Sequence, residues 1–168
     1  MPTETVTPAQ LLCELEALLF VTAEPLSIPR LVALTGGDPS AVGASLAELE
    51  ARYAERGITI RSVGGGYRFA TAPRVRTAVE ALLLPPKHSL STAALETLAV
   101  VAYSQPVTKA EIEAVRGVSV DGIVSSLVER GFLTEAGQKE TLGRPTLFAT
   151  TQKFLVAFGL PSLEALPP

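Results

Sequence analysis

Leu15-Glu16-Ala17-Leu18 returns as Leu95-Glu96-Thr97-Leu98, an offset of 80 residues. Pro25, Leu26, Ser27, Leu31 and Gly36 are answered by Pro106, Val107, Thr108, Ile112 and Gly117 at an offset of 81. Phe69-Ala70-Thr71 reappears as Phe148-Ala149-Thr150 at an offset of 79. Anchors that keep their order while their spacing drifts by single residues mark one supersecondary unit built twice. The chain is therefore expected to fold as two similar modules rather than around one large core. Each module has roughly 80 residues, a size at which stability is marginal and a partner often supplies the remainder.

Hydrophobic residues make up 47% of the chain and charged residues only 18%, against roughly 25% in ordinary soluble domains. Part of that apolar surplus is expected at protein–protein surfaces. Residues 1–84 carry 7 basic and 9 acidic side chains, and residues 85–168 carry 7 and 8. Neither half is a basic domain, so overall charge does not argue for nucleic acid. A lone cysteine, Cys13, rules out an internal disulfide and fits a reducing compartment. The apolar run from Ala17 to Ala23 is too short to span a bilayer and is flanked by Glu16 and Glu24. No basic segment precedes it as in a secretory signal, so a cytoplasmic protein with no membrane partner is expected.

Within the first module, Thr7 and Pro8 open a helix as N-cap and first helical residue, and Leu11, Leu12, Leu15, Leu18 and Leu19 keep a helical period up to a stop at Pro25. Ser27 caps a second helix, with Leu26 and Leu31 placed as a hydrophobic staple, and Gly36-Gly37 ends it. Asp38-Pro39 starts a third, carrying Val42, Leu46, Leu49 and Tyr53 on one stripe and ending at Gly57. Residues 58–63 then alternate, Gly64-Gly65-Gly66 turns the chain, and Tyr67-Arg68-Phe69 returns as a hairpin. Three helices followed by a hairpin, the second and third tightly joined, make a winged helix.

The second module repeats the order. Ser91 caps a helix bearing Leu95, Leu98 and Val101, and Thr108 with Glu111 forms a capping box. Val120, Ile123, Val124, Leu127 and Val128 make an amphipathic stripe ending at Gly131. Phe132 to Ala136 and Thr146 to Thr150 read as the hairpin strands, Val75 to Leu84 as a helix between the modules, and Gln152 to Phe158 as a closing helix. The fold class expected is α+β and mostly helical: two tandem winged-helix domains, each of three helices plus a β-hairpin wing. The boundaries are 1–84 for the N-terminal domain, 85–90 for a Pro85-Pro86-Lys87-His88 linker, and 91–168 for the C-terminal domain.

This inventory does not assemble an enzyme. His88 stands in the proline-flanked linker without a nucleophile or orienting acid nearby, and Cys13 sits on an apolar helix. One histidine and one cysteine cannot make a structural zinc site, and the glycines at 64–66 lack the Gly-Lys-Ser/Thr of a phosphate loop. No catalytic, cofactor or metal residue is expected. Nucleic-acid binding is the natural alternative for winged helices, whose third helix reads the major groove. Here that helix carries Glu48, Glu50 and Glu55 against Arg52 and Arg56 in the first module, and Asp121 and Glu129 against Arg130 in the second. Opposing this, residues 56–79 hold five arginines and no acid, so Arg61, Arg68, Arg74 and Arg76 are candidate phosphate contacts if the chain is a tandem winged-helix DNA-binding transcriptional regulator.

The stretches Ala94-Leu95-Glu96-Thr97-Leu98-Ala99, Tyr103-Ser104-Gln105-Pro106-Val107-Thr108-Lys109-Ala110-Glu111-Ile112, Arg116-Gly117-Val118, Gly143-Arg144-Pro145 and Phe148-Ala149-Thr150-Thr151 are similar to the second domain of bacterial segregation and condensation protein B. The N-terminal half resembles that family more loosely, through Leu18-Leu19-Phe20, Glu24-Pro25-Leu26 and Gly65-Gly66-Tyr67. The resemblance implies a non-enzymatic subunit of the condensin-like chromosome-organising complex, cytoplasmic and associated with the nucleoid. It implies N-terminal domains that pair as a homodimer and C-terminal domains that bind the kleisin subunit, with the SMC ATPase and DNA reached indirectly. Leu11, Leu12, Leu15 and Leu19 are the expected dimerisation residues, although the same leucines would serve equally as core. Gly143, Arg144 and Pro145 are the expected partner contact, where glycine and proline would fix the arginine's direction toward a carboxylate or carbonyl acceptor, although a wing turn with a solvated arginine would account for the same residues.

Overall fold

The computed structural model describes residues 7–83 and 90–168. The linker histidine His88 and most of the expected linker, 85–89, lie outside the described residues. Two compact units are present: Met1–Pro85 with Gly159–Ala165, and Pro86–Phe158 with Leu166–Pro168.

The first unit contains α1 (Pro8–Val21), α2 (Ile28–Thr35), α3 (Pro39–Tyr53), β1 (Ile58–Val63) and β2 (Gly66–Thr71), followed by a single 3-10 turn and α4 (Arg76–Leu82). Its helix starts are set locally. Thr7, Ser27 and Asp38 each accept a hydrogen bond from a backbone N–H of the first turn, and each helix has proline in its first two positions. Two helices stop before the expected residues. α1 ends at Val21 rather than running to Pro25, because Thr22 is extended and its Oγ1 accepts from the N–H of Glu24 at 3.1 Å. α3 ends at Tyr53 rather than Gly57. The core joins Leu11, Leu12, Leu15 and Leu19 of α1 to Leu31, Val42, Leu46, Leu49 and Ile60, none more than 5% exposed. Full burial of such side chains contributes about 1.5–3 kcal/mol each, which is what holds three short helices together.

In the second unit, α5 (Thr92–Ser104), β3 (Val107–Thr108), α6 (Lys109–Arg116), α7 (Asp121–Glu129), β4 (Leu133–Gln138), β5 (Thr146–Thr150) and α8 (Gln152–Phe158) follow in order. β3, β5 and β4 form a three-stranded antiparallel sheet with β5 central. β3 goes beyond the expected hairpin; two residues are too few to show a strand's alternation. The first unit has its counterpart in Leu26, which bridges Tyr67 through two backbone hydrogen bonds of 2.9 Å. Leu26 and Val107 are 81 residues apart, and so are the N-caps Ser27 and Thr108 and the left-handed C-caps Gly36 and Gly117.

Beyond that point the two units diverge in compensating ways. α3 has 15 residues and α7 has 9, so the strand starts Ile58 and Leu133 are only 75 apart. The first wing turns on Gly64-Gly65, whereas the second runs through 139–145, which restores an offset of 79 between Thr71 and Thr150. The C-terminal segment also departs from expectation. Gly159–Ala165 groups with the first unit rather than the second: the N–H groups of Gly64 and Gly65, both left-handed, donate to the carbonyls of Leu160 at 2.8 Å and Pro161 at 2.9 Å.

The capping box at α6 carries a pH dependence. Glu111 accepts from the Thr108 N–H at 2.9 Å and the Thr108 hydroxyl at 2.8 Å, and its other oxygen pairs with Lys139 on the wing. The Lys139 ammonium first, then the two Thr108 donors, hold the carboxyl down at about 2, below its ordinary 4.5. A carboxyl lowered by folding stabilises the native state above its unfolded value and ceases to do so as pH falls through the folded value. The stability this group adds to the second unit should therefore be complete above about pH 4.5 and fade between there and about pH 2. Denaturant unfolding across that window should show the slope in the wild type and a shallower one in Glu111→Gln.

Candidate interaction surfaces

α1 is apolar nearly all the way round, so its periodicity alone does not say which side faces inward. Tertiary packing decides it against the sequence expectation. Leu11, Leu12, Leu15 and Leu19, expected at a dimer surface, are 3%, 5%, 0% and 1% exposed and form the unit's own core. What α1 leaves outside is a different stripe: Cys13, Ala17, Phe20 and Val21 are exposed, the last two at 79% each. Phe20, Ala17 and Cys13 line an open groove whose other wall is Tyr53, Ile58 and Phe69, with Glu16 on its α1 side. Tyr53 and Phe69 meet edge to face with ring centroids 4.9 Å apart, and the Tyr53 hydroxyl donates to Glu16, which pushes the phenol's pKa up. The sequence signal for this face is Phe20 itself, a large aromatic outside the leucine stripe.

The arginine-rich stretch does not remain a continuous basic strip. Arg74 pairs with Glu55 at 3.1 Å and also donates to the carbonyls of Ala54 and Arg56, just beyond α3. That is a carbonyl-capping role within the unit rather than a free phosphate contact. Arg76 pairs with Glu80 one turn along α4 at 2.6 Å, which raises its pKa. Arg61 and Arg68 face each other across β1 and β2. Arg61 is exposed, but Arg68, expected on the outward side, is half-buried, with its Nε buried and unpartnered among the described residues. The acids of the third helices are also partly engaged: Glu48 pairs with Arg52 at 2.6 Å and Asp121 with Lys109 at 2.8 Å.

On the second unit, Gly143, Arg144 and Pro145 are exposed at the wing tip between β4 and β5. Gly143 has φ 84° and Arg144 φ 41°, the latter the sole non-glycine residue with positive φ among the described residues. A left-handed arginine costs about 1–2 kcal/mol, which the tip must offset. Three backbone hydrogen bonds of 2.9 Å do so: Arg144 N–H to Thr141, Thr141 N–H to Lys139, and Lys139 N–H to Pro145. Leu142, not singled out from the sequence, is fully exposed beside them at 104%. Among the described residues there is no group of three or more histidine, cysteine or acidic side chains placed to hold a metal, and no helix long and apolar enough to cross a membrane.

The model of the family described as segregation and condensation complex subunit ScpB matches residues 13–168. Segregation and condensation protein B of Moorella thermoacetica is 51% identical over 156 residues, covering 92% of this chain and 80% of the relative. That of Symbiobacterium thermophilum is 49% identical over 156 residues, covering 92% and 71%. Among solved structures, ScpB from Mycobacterium tuberculosis is 41% identical, with 92% of this chain and 98% of that chain covered at a TM-score of 0.44. A match that runs through both units, together with relatives at half identity over most of their length, means that this chain belongs to the ScpB family of segregation and condensation complex subunits.

Proposed function

We propose that the protein is a non-enzymatic adaptor of the condensin-like chromosome segregation and condensation complex, pairing with a second copy through its first unit and binding the kleisin subunit, ScpA, through its second. The observation that carries this reading is the family match across residues 13–168. No residue is given a catalytic, cofactor or metal role. The protein then works in the cytoplasm on the nucleoid, reaches the SMC ATPase through the kleisin, and touches DNA indirectly or weakly. The DNA-binding regulator has less support, because Arg74 and Arg76 are already paired and the third helices keep their acids. Co-purification with the kleisin followed by native mass measurement tests the adaptor as a whole: a chain that neither pairs nor binds the kleisin is not one.

For self-pairing we place the surface on Cys13, Ala17, Phe20 and Val21 with Ile58, in place of the buried leucines. Phe20 is the large exposed aromatic there, and aromatic anchors dominate binding energy in such patches. Phe20→Ser should weaken self-association by about 2 kcal/mol, roughly thirtyfold, by analytical ultracentrifugation. Cys13, exposed on the same face, should let a short bis-maleimide join two wild-type copies. A dimer that survives Phe20→Ser unchanged and resists coupling through Cys13 must pair elsewhere.

A further inference from the structure

The geometry points to the second unit's wing tip, Leu142 with Arg144, as the anchor that inserts into an apolar socket rimmed by a carboxylate on the kleisin; this rests on the adaptor reading above. Leu142 is fully solvated in the free chain. An apolar side chain held there by a hydrogen-bonded turn gains nothing from water and is ready to be buried by a partner. Arg144 is the complementary polar element. Among the described residues of this unit, Lys109 pairs with Asp121, Arg116 with Glu96 and Lys139 with Glu111. Lys153 donates to the Arg130 carbonyl at 2.8 Å, and the Arg130 guanidinium stacks over Phe132. The Arg144 guanidinium has no partner of this kind, and its backbone stays left-handed where a glycine would sit without strain. Strain retained at a pinned, exposed position is a mark of a residue kept for contact.

The chemistry favours a protein over a nucleic acid. A single free cation among the described residues of this unit releases about one counterion, too few to hold a duplex at physiological salt. Asp121, Glu129, Glu135 and Glu140 are all exposed on the same unit and oppose phosphate. A guanidinium forked onto a carboxylate, and shielded from water by an apolar side chain beside it, is instead the chemistry of a protein contact, and arginine is among the residues that dominate such contacts.

The test measures kleisin affinity of the full chain by calorimetry for Leu142→Ser, Arg144→Glu and Arg144→Gly. Arg144→Gly is the decisive variant, since it relieves the left-handed strain while removing the guanidinium. Its thermal stability should hold or rise while affinity falls about tenfold, opposite movements that a merely structural arginine would not produce. Leu142→Ser and Arg144→Glu should each lose about tenfold or more as well. Wild-type binding that all three variants retain within about twofold overturns the tip assignment and leaves the adaptor reading standing. No binding by the wild type overturns both. Loss confined to self-association, or to binding of a short DNA duplex, would give the tip to a second copy or to DNA and equally overturn it.

Discussion

Gly66→Ala should destabilise the first unit by about 3 kcal/mol, a drop of roughly 15 °C in its unfolding midpoint. Gly66 does not need a left-handed backbone; it needs the absence of a side chain. A Cβ at that position would lie 2.7 Å from the carbonyl carbon of Leu26, 2.9 Å from its oxygen and 3.0 Å from its nitrogen. All three are backbone atoms and cannot rotate away. Leu26 is held in place by its two hydrogen bonds to Tyr67, and the next residue, Ser27, caps α2. Accommodating the methyl therefore means separating the bridge that ties the hairpin to α2. Gly65→Ala is the control: Gly65 has φ 72° but open space around it, so it should lose only about 1–2 kcal/mol, from backbone strain. Thermal unfolding with hydrogen exchange over residues 26–71 distinguishes the two. A milder effect for Gly66→Ala than for Gly65→Ala would mean that Leu26 does not pack this closely against β2.

Arg116→Met should cost the second unit about 2–3 kcal/mol. Only 12% of the Arg116 side chain is exposed, and its guanidinium donates to the carbonyl of Ala93 at 2.8 Å, to the fully buried Thr97 hydroxyl and to Glu96 at 2.7 Å. It ties the last turn of α6 to the first turns of α5, a link that an exposed ion pair alone would hardly strengthen. Three acceptors spread around one fork suit a guanidinium and not an ammonium, so Arg116→Lys should recover less than half of the loss. Exchange protection over α5 and α6 is the measurement. Equal protection in wild type and Arg116→Met would mean that the arginine is a bystander.

Local chemistry was legible where it is self-contained. The N-caps Thr7, Ser27, Asp38, Ser91 and Thr108, the left-handed stops Gly36 and Gly117 and the closing helix to Phe158 depend on side chains within a few residues of the backbone groups they serve. What escaped was non-local. Arg74 looks like a free cation in sequence because the carbonyls it caps, at Ala54 and Arg56, lie just past the end of α3, about twenty residues earlier. Leu26 looks like a staple residue, and β3 at Val107 goes unmarked, because a bridge of one or two residues has no period. Glycine and proline mark the wing tip in the sequence, but nothing marks Leu142, since a leucine in a loop says nothing of its exposure until the loop is built.

The near-constant offset between the halves of this chain determined that it would fold as two similar units and which capping residues correspond. That follows because a repeated pattern of caps and apolar periods encodes the same local structures twice. The offset concealed that the third helix is six residues shorter in the second unit and the whole hairpin four residues longer, changes that nearly cancel along the chain. Only the tertiary structure separated them, because strand pairing fixes register in space and not along the sequence. It alone also turned the leucines of α1 inward and left Phe20 outside, since a helix with apolar residues on more than one side takes its orientation from what packs against it.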